Sequence, residues 1–230
     1  MDSMFERLMT LPLFRGVTQE RMAEIVGIAR FHFLKYLPGG EFIKAGDSCT
    51  HLKFILSGSA RITTSNADGR FKVSQTLMAP DVICPDFLFG RATTYPCTAV
   101  ALDTTNILQV EKSDYLRILT SDAVFMFNYL NHLATNAQKT VDGVLSITMG
   151  NIEERIALWV VCLTQPSAVD ITLEARQRDL CTVFGVQRNS FVAALQGMAD
   201  RGLITFAPNV INIIDRRAIA ATLPVARDTD

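Results

Sequence analysis

Residues 176–204, RQRDLCTVFGVQRNSFVAALQGMADRGLI, predict two short amphipathic helices joined by a tight turn. Leu180, Val183 and Phe184 give the first helix one apolar face, and Gly185 follows as a residue that adopts positive φ without a steric penalty. The second helix has apolar residues at the i, i+3, i+4, i+7 spacing, namely Phe191, Ala194, Leu195 and Met198. The pattern favours a helix-turn-helix, and an ordinary helical hairpin is the alternative.

The second helix begins with four polar residues, Gln187, Arg188, Asn189 and Ser190. Such side chains can hydrogen-bond to base edges or phosphates, and the N-terminal end of a recognition helix is where those contacts are made. In the alternative interpretation they form a solvated first turn that Asn189 or Ser190 caps.

A β-hairpin is predicted after the second helix, from residues 203–206, the turn 207–209 and residues 210–214. A hairpin in this place is the wing of a winged helix-turn-helix.

Composition indicates a globular chain with modest electrostatic attraction for nucleic acid. The 230 residues carry a net charge of −1, which argues against strong non-specific DNA binding. Positive charge is local, because four arginines lie within residues 176–204. The longest apolar runs are too short to span a bilayer, and the N-terminus lacks a basic segment and a cleavage site. A cytoplasmic location without membrane contact is expected.

Upstream of this region, residues 31–110 alternate in short segments separated by Gly, Pro, Asn and Asp, which predicts an all-β sandwich or jelly roll. Asn66-Ala67-Asp68-Gly69 is a hairpin signal within it. Residues 121–146 predict a long helix with a regular apolar seam, formed by Phe127, Leu130, Ala134, Ala137, Val141 and Val144. A seam of this kind favours pairing of two copies, and a helix lying on its own domain is the alternative.

The order of these parts resembles the CRP/FNR family, the bacterial regulators related to the cyclic-AMP receptor protein. The matching segments are residues 11–17, 38–43 with Gly46-Asp47, 54–58, and 178–204. The resemblance implies an α+β protein with an N-terminal jelly-roll sensor domain like the cyclic-nucleotide-binding domain (1–120), a dimerisation helix (121–148) and a C-terminal winged helix-turn-helix (149–230). It also implies a homodimer on a palindromic double-stranded DNA site, with RNA polymerase as a further partner.

The resemblance assigns DNA contacts to individual residues. Arg188 matches the base-reading arginine, with Gln187, Asn189 and Ser190 beside it, and this arginine would form a bidentate pair with guanine. At the start of the first helix, residues 176–178 match phosphate contacts: Arg176, Gln177 and Arg178. Asn189 and Ala193 replace residues that the cyclic-AMP receptor protein uses on its own site. A different half-site is therefore expected.

The effector loop departs from the nucleotide-binding members. Cys84-Pro85 and Tyr95-Pro96 stand where those members bind ribose and phosphate, and each proline removes a backbone donor. An effector other than cyclic AMP, or none, is expected, and the sequence leaves the effector and any cofactor unassigned. The predicted pocket consists of Cys84, Pro85, Arg91, Tyr95, Pro96 and Cys97 of the loop with Thr140 and Val141 of the long helix.

Five cysteines and three histidines form no metal or cluster motif, so no metal site is predicted. Cys162 and Cys181 lie on apolar helix faces and are expected to be buried. Cys84 and Cys97 bracket the altered loop, where they could approach one another or act as a reactive thiol. A haem with one distant His or Cys ligand, a thiol-based sensor, and a ligand-binding module without DNA function stay open. Motifs of hydrolases and nucleotide-hydrolysing enzymes are missing, so no enzymatic activity is expected.

Overall fold

The computed structural model describes residues 4–148 and 150–223. They form two compact units, one made of residues up to 62 with 77–136, and the other of 63–76 with the residues from 137 onward. The domain boundaries predicted at 120/121 and 148/149 stay a prediction. Residues 149 and 224–230 of the predicted DNA-binding domain lie outside the described residues.

The described residues contain eight helices and eleven strands. The helices are α1 (Met4–Met9), α2 (Gln19–Ile28), α3 (Lys112–Ser121), α4 (Ala123–Leu145), α5 (Ile152–Leu163), α6 (Gln177–Phe184), α7 (Arg188–Asp200) and α8 (Arg216–Ala221). The strands are β1 (Phe31–Tyr36), β2 (Glu41–Ile43), β3 (His51–Ser57), β4 (Ser59–Ser65), β5 (Phe71–Met78), β6 (Asp81–Ile83), β7 (Cys97–Ala101), β8 (Thr105–Glu111), β9 (Val169–Ala175), β10 (Ile204–Ala207) and β11 (Val210–Ile213).

The first unit is the predicted antiparallel jelly roll. One sheet has the order β1-β8-β3-β6, and β2, β7 and the start of β4 form the other side. Phe54 of β3 lies opposite Leu108 and Val82 and is fully buried. Its ring meets that of Phe14 at 5.4 Å, and Phe14 in turn meets Phe125 at the same distance. Aromatic edge-to-face packing therefore anchors the start of α4 to the β domain.

Helix α4 has two different faces. Phe125 and Tyr129, four residues apart, are buried in the first unit. The predicted seam lies on another face, within an arc of about 100° at 3.6 residues per turn. All of its members are exposed in the single chain: Phe127, Leu130, Ala134, Ala137, Val141 and Val144. The helix bounds agree with the predicted 121–146, and the seam residues contact nothing that would bury them.

The second unit contains the predicted winged helix-turn-helix. Helices α6 and α7 and the wing strands β10 and β11 lie where the sequence pattern places them. Leu180 and Phe184 are buried as expected, as are all four apolar residues named for α7. Val183 was predicted to share the apolar face, but it is 46% exposed because it lies to one side of the buried Leu180–Phe184 stripe. Cys181 is the residue that completes that stripe.

The sheet of the second unit has the order β10-β11-β9-β5, so one strand comes from the β-rich part of the sequence. The predicted hairpin turn is present, and the backbone N–H of Phe71 donates to the Asn66 side chain at 2.9 Å. From there β5 runs antiparallel to β9, with Phe71 opposite Ala175 and Val73 opposite Leu173. Strand β9 and its pairing with β5 were not predicted from the sequence.

Candidate nucleic-acid interface and sensor loop

The turn between α6 and α7 depends on a left-handed glycine. Gly185 has φ 63° and ψ 37°, and its N–H donates to the carbonyls of Cys181 and Thr182 at the end of α6. The N–H of Val186 also donates to the Cys181 carbonyl, at 3.0 Å. These bonds close the helix end in the αL manner. As a result only three residues, 185–187, separate α6 from α7.

The turn brings the four predicted base-contacting residues together at the start of α7. Gln187 is the N-cap, Arg188 the first helical residue, and Asn189 and Ser190 follow; all four are exposed. The Gln187 side chain makes no capping hydrogen bond, and Asn189 and Ser190 lie inside the helix instead of at the cap position. The alternative in which one of them caps the helix is therefore not what the structure contains. Backbone N–H groups and polar side chains point outward from this end.

The three residues predicted to contact phosphate lie at the start of α6 and differ in their exposure. Arg176 and Arg178 are exposed. Gln177 is buried: its side-chain amide donates to the carbonyl of Ala207 at 3.5 Å, and its backbone N–H donates to Pro208 in the wing turn at 3.3 Å. Its predicted phosphate contact does not fit this placement, because the side chain joins the helix to the wing. No local pattern indicates that packing, because the two residues are 30 positions apart.

Helix α5 packs against α7. Asn151 and Glu154 form a capping box at its start. Glu153 in its first turn accepts from the Arg201 guanidinium at 2.5 Å. Gly197 of α7 lies beside Glu153, and a Cβ atom there would come within 2.5 Å of the carboxylate. A side chain at 197 would therefore displace the Glu153 carboxylate from its present position beside α7.

The loop between β6 and β7 is held by backbone hydrogen bonds to residues 47 and 49. The N–H of Tyr95 donates to Asp47, and the carbonyl of Thr93 accepts from Cys49 at 2.8 Å. The Tyr95 hydroxyl donates to the His51 carbonyl at 2.7 Å, and burial raises the pKa of this phenol. Arg91 lies exposed in mid-loop. The N–H groups of Phe87, Leu88 and Tyr95 are thus bonded within the protein, and Pro85 and Pro96 have none to offer an anion.

Cys84 and Cys97 stand at the two ends of this loop with their sulfurs 3.3 Å apart. Cys97 is buried at the start of β7, while Cys84 is partly exposed after β6. A hydrogen bond from the Cys84 thiol lowers the pKa of Cys97, and the same bond, with burial, raises the pKa of Cys84. The predicted approach of the two cysteines is present. Of the other three thiols, Cys49 is buried and Cys181 is buried as expected, whereas Cys162 is only half-buried.

A short 3-10 turn, Pro85–Phe87, joins this loop to α4. The Pro85 carbonyl accepts from the Tyr129 hydroxyl at 3.0 Å, and the side chain of Asp86 accepts from Asn136 at 2.8 Å. His132 lies 3.5 Å from the other Asp86 oxygen. Sequence reasoning missed these contacts, because nothing local links residues that are about 45 positions apart. Pro96 is half-buried in the same loop.

The eight predicted effector residues are divided between the two units, and their common pocket stays a prediction. Thr140 and Val141 belong to the second unit and lie on exposed positions of α4, whereas the six loop residues belong to the first unit. Among residues 4–148 and 150–223, no group of three or more His, Cys, Asp or Glu side chains is placed to hold a metal ion. Over the same residues, no helix combines the length and apolar character needed to cross a membrane.

Comparison with known proteins places these features in a family. Residues 33–122 match the family model of the cyclic nucleotide-binding domain. The cAMP-activated global transcriptional regulator Vfr of Pseudomonas aeruginosa is 21% identical over 185 residues, which cover 77% of this chain and 86% of Vfr.

Solved structures share the fold at low identity. The catabolite activator protein of Thermus thermophilus superposes with a TM-score of 0.50 at 16% identity, covering 90% of this chain and 96% of that protein. The sensor domain of the transcriptional regulator DNR from Pseudomonas aeruginosa gives 0.52 at 18% identity, over 60% of this chain and 90% of that domain. The chain therefore shares the fold of these two structures, and its residues 33–122 carry the match to the cyclic nucleotide-binding domain.

Proposed function

We propose that this protein is a homodimeric, sequence-specific DNA-binding regulator controlled by an effector other than cyclic AMP. The observation that carries the proposal is the start of α7, where Gln187, Arg188, Asn189 and Ser190 are all exposed at a helix end that the N-cap side chain leaves uncapped. Arg188 reads guanine through a bidentate pair, and Arg176 and Arg178 contact phosphate. RNA polymerase is the further partner, and the cytoplasm is the place of action.

A binding experiment with Arg188→Ala tests this assignment. Sites are selected from random duplex DNA with the full-length protein, and affinity is then measured for the selected site and for unrelated DNA. We expect Arg188→Ala to lose about 1–3 kcal/mol at the selected site and much less on unrelated DNA. Arg217→Ala is the matched control, since it removes an exposed arginine of the same unit. If Arg188→Ala and Arg217→Ala lost the same affinity, both for the selected site and for unrelated DNA, base reading by Arg188 would be contradicted.

Dimerisation is supported by the apolar seam of α4. Leu130 is 55% exposed and Phe127 is 67% exposed, and the seam continues along the helix in the coiled-coil spacing. A second copy of the chain can cover such a seam, and two-fold symmetry then presents two recognition helices to a palindromic site.

Sedimentation measurements test the dimer. Leu130→Glu is expected to shift the protein to monomer, because each copy would place a charge in the apolar seam. Leu116→Glu is the control, since Leu116 has similar exposure (49%) but lies on α3. If both variants sediment like the unchanged protein, α4 is not the dimer interface.

The altered loop supports an effector other than cyclic AMP. A buried phosphate needs a cation or several free N–H donors, and here Pro85 and Pro96 lack N–H while that of Tyr95 is bonded to Asp47. We expect no heat of cyclic AMP binding at micromolar concentrations in calorimetry. A measured Kd in the micromolar range would overturn this part of the proposal.

A further inference from the structure

The two sulfurs at the ends of the loop are placed for covalent chemistry. Cys84 follows β6 of one sheet and Cys97 begins β7 of the other, and their 3.3 Å separation exceeds a disulfide bond by about 1.3 Å. Closing this gap requires Cys84 and Cys97 to move toward one another. A disulfide formed by this pair would therefore join the two sheets of the jelly roll.

We propose that Cys84 and Cys97 are a redox-active dithiol which a peroxide converts to a disulfide, and that this reaction controls DNA binding. The second part rests on the proposed DNA-binding function, and the first part does not. The oxidant is a hydroperoxide small enough to reach Cys97 beside the partly exposed Cys84.

The chemistry balances with one peroxide. A thiolate of the pair attacks the peroxide O–O bond, forming a sulfenic acid and releasing hydroxide, which takes up a proton to give water. The second sulfur then attacks the sulfenic sulfur, the S–S bond forms, and a second water leaves with the remaining thiol proton. Because the sulfurs share a hydrogen bond, the anion left after one deprotonation keeps the other proton between them. The hydrogen bond from Cys84 favours the thiolate at Cys97, so Cys97 is the attacking sulfur and the partly exposed Cys84 is the partner that resolves the intermediate.

The backbone at Cys84 sets this residue apart. Its φ of 47° and ψ of 47° lie in the left-handed region, which is unfavourable for a residue with a Cβ. A following proline disfavours compact conformations of the residue before it, which adds to the strain at Cys84. The surrounding contacts hold this conformation, and it directs the sulfur toward Cys97. Strain of this kind is concentrated at functional positions.

The dithiol connects directly to the helix proposed to form the dimer. The 3-10 turn Pro85–Phe87 begins at the residue after Cys84. It accepts the Tyr129 hydroxyl through the Pro85 carbonyl and the Asn136 amide through Asp86. Drawing Cys84 toward Cys97 displaces the start of this turn, and the two hydrogen bonds transmit that displacement to α4. The route lies wholly within the first unit.

Mass spectrometry tests the bond itself. The reduced full-length protein is titrated with hydrogen peroxide, free thiols are alkylated, and peptides are mapped. We expect loss of two hydrogen atoms, a linked peptide pair containing Cys84 and Cys97, and full reversal by dithiothreitol. Cys84→Gly suits the αL backbone and keeps the fold, and it should abolish the product. Cys162→Ala, which alters a half-buried cysteine elsewhere, should leave it unchanged. No linked peptide in the unchanged protein would overturn the proposal.

DNA affinity and hydrogen exchange test whether the disulfide regulates DNA binding. The oxidised and reduced proteins should differ in affinity for the selected site by about five-fold or more, and Cys84→Gly should show no peroxide effect. Exchange rates in residues 129–136 should change with oxidation. A disulfide that leaves both readouts unchanged would overturn the regulatory part. If neither redox form binds any DNA, the proposed function fails, and the exchange rates alone decide whether the disulfide acts on α4.

Discussion

Replacing Phe71 by alanine tests whether strand β5 stabilises the unit that contains the recognition helix. The Phe71 ring meets Trp159 of α5 at 5.3 Å, and Trp159 meets Phe184 of α6 at the same distance. Phe184 then stacks on Phe191 of α7 at 6.0 Å. Four rings therefore run from β5 to the recognition helix, and all belong to the second unit. Phe71 is the first ring and the one that can be removed with the least damage to the core.

The size of the effect follows from the burial of Phe71. A fully buried Phe→Ala change costs about 3–5 kcal/mol, and Phe71 is only half-buried. The backbone pairing with Ala175 does not depend on the side chain and should persist. We therefore expect a loss of about 2 kcal/mol in the free energy of unfolding of this unit. About 0.5–1.5 kcal/mol of it comes from the ring contact with Trp159.

The assay is favourable because Trp159 is the only tryptophan of the chain. Urea unfolding followed by its fluorescence should give a lower midpoint for Phe71→Ala, and the native emission should shift to longer wavelength as Trp159 gains solvent. Phe33→Ala is the control, since Phe33 is 51% exposed on β1 of the first unit and should leave the emission unchanged. An unchanged midpoint and emission in Phe71→Ala would refute the view that β5 is an integral strand of this unit.

Three further changes have defined outcomes. Arg216→Met should lower the unfolding free energy by about 3 kcal/mol in urea titrations, because the buried guanidinium donates to the hydroxyl of Thr164 at 2.9 Å and to carbonyls at the end of α5. A change below 1 kcal/mol would contradict that role. Gly185→Ala should cost about 1 kcal/mol by the same measurement, since an added Cβ meets no atom within 4 Å and only the positive φ is penalised. The backbone N–H of Arg30 donates to the buried Asp114 and, with Arg117, lowers the pKa of that carboxyl. The carboxylate therefore stabilises the fold above its unfolded pKa, and this contribution is lost as the pH falls through the folded value. Asp114→Asn should be destabilised by about 1 kcal/mol at pH 7, and the difference from the unchanged protein should disappear in strong acid; a difference that grows on acidification would reverse the assignment.

Local patterns were sufficient for α4, α6, α7, the wing and the hairpin. The seam of α4 and the apolar positions of α7 are periodic within one element, and Gly185 marks a turn that only the local backbone requires. Contacts between distant segments could not be predicted in this way. Gln177 has the composition of an exposed polar residue, yet the wing turn buries it. The pairing of β5 with β9 joins residues about 100 positions apart, and no periodicity encodes such a partner.

The sensor loop shows why a matched position does not imply a matched ligand. Cys84 has a left-handed backbone, a conformation that favours glycine. Pro85 and Pro96 lack the N–H that a phosphate could use, and Cys97 places a second sulfur within 3.3 Å of the first. Two adjacent sulfurs in this loop suit the proposed thiol oxidation. Its link to α4 through the Pro85 carbonyl gives that oxidation a path to this helix within the first unit.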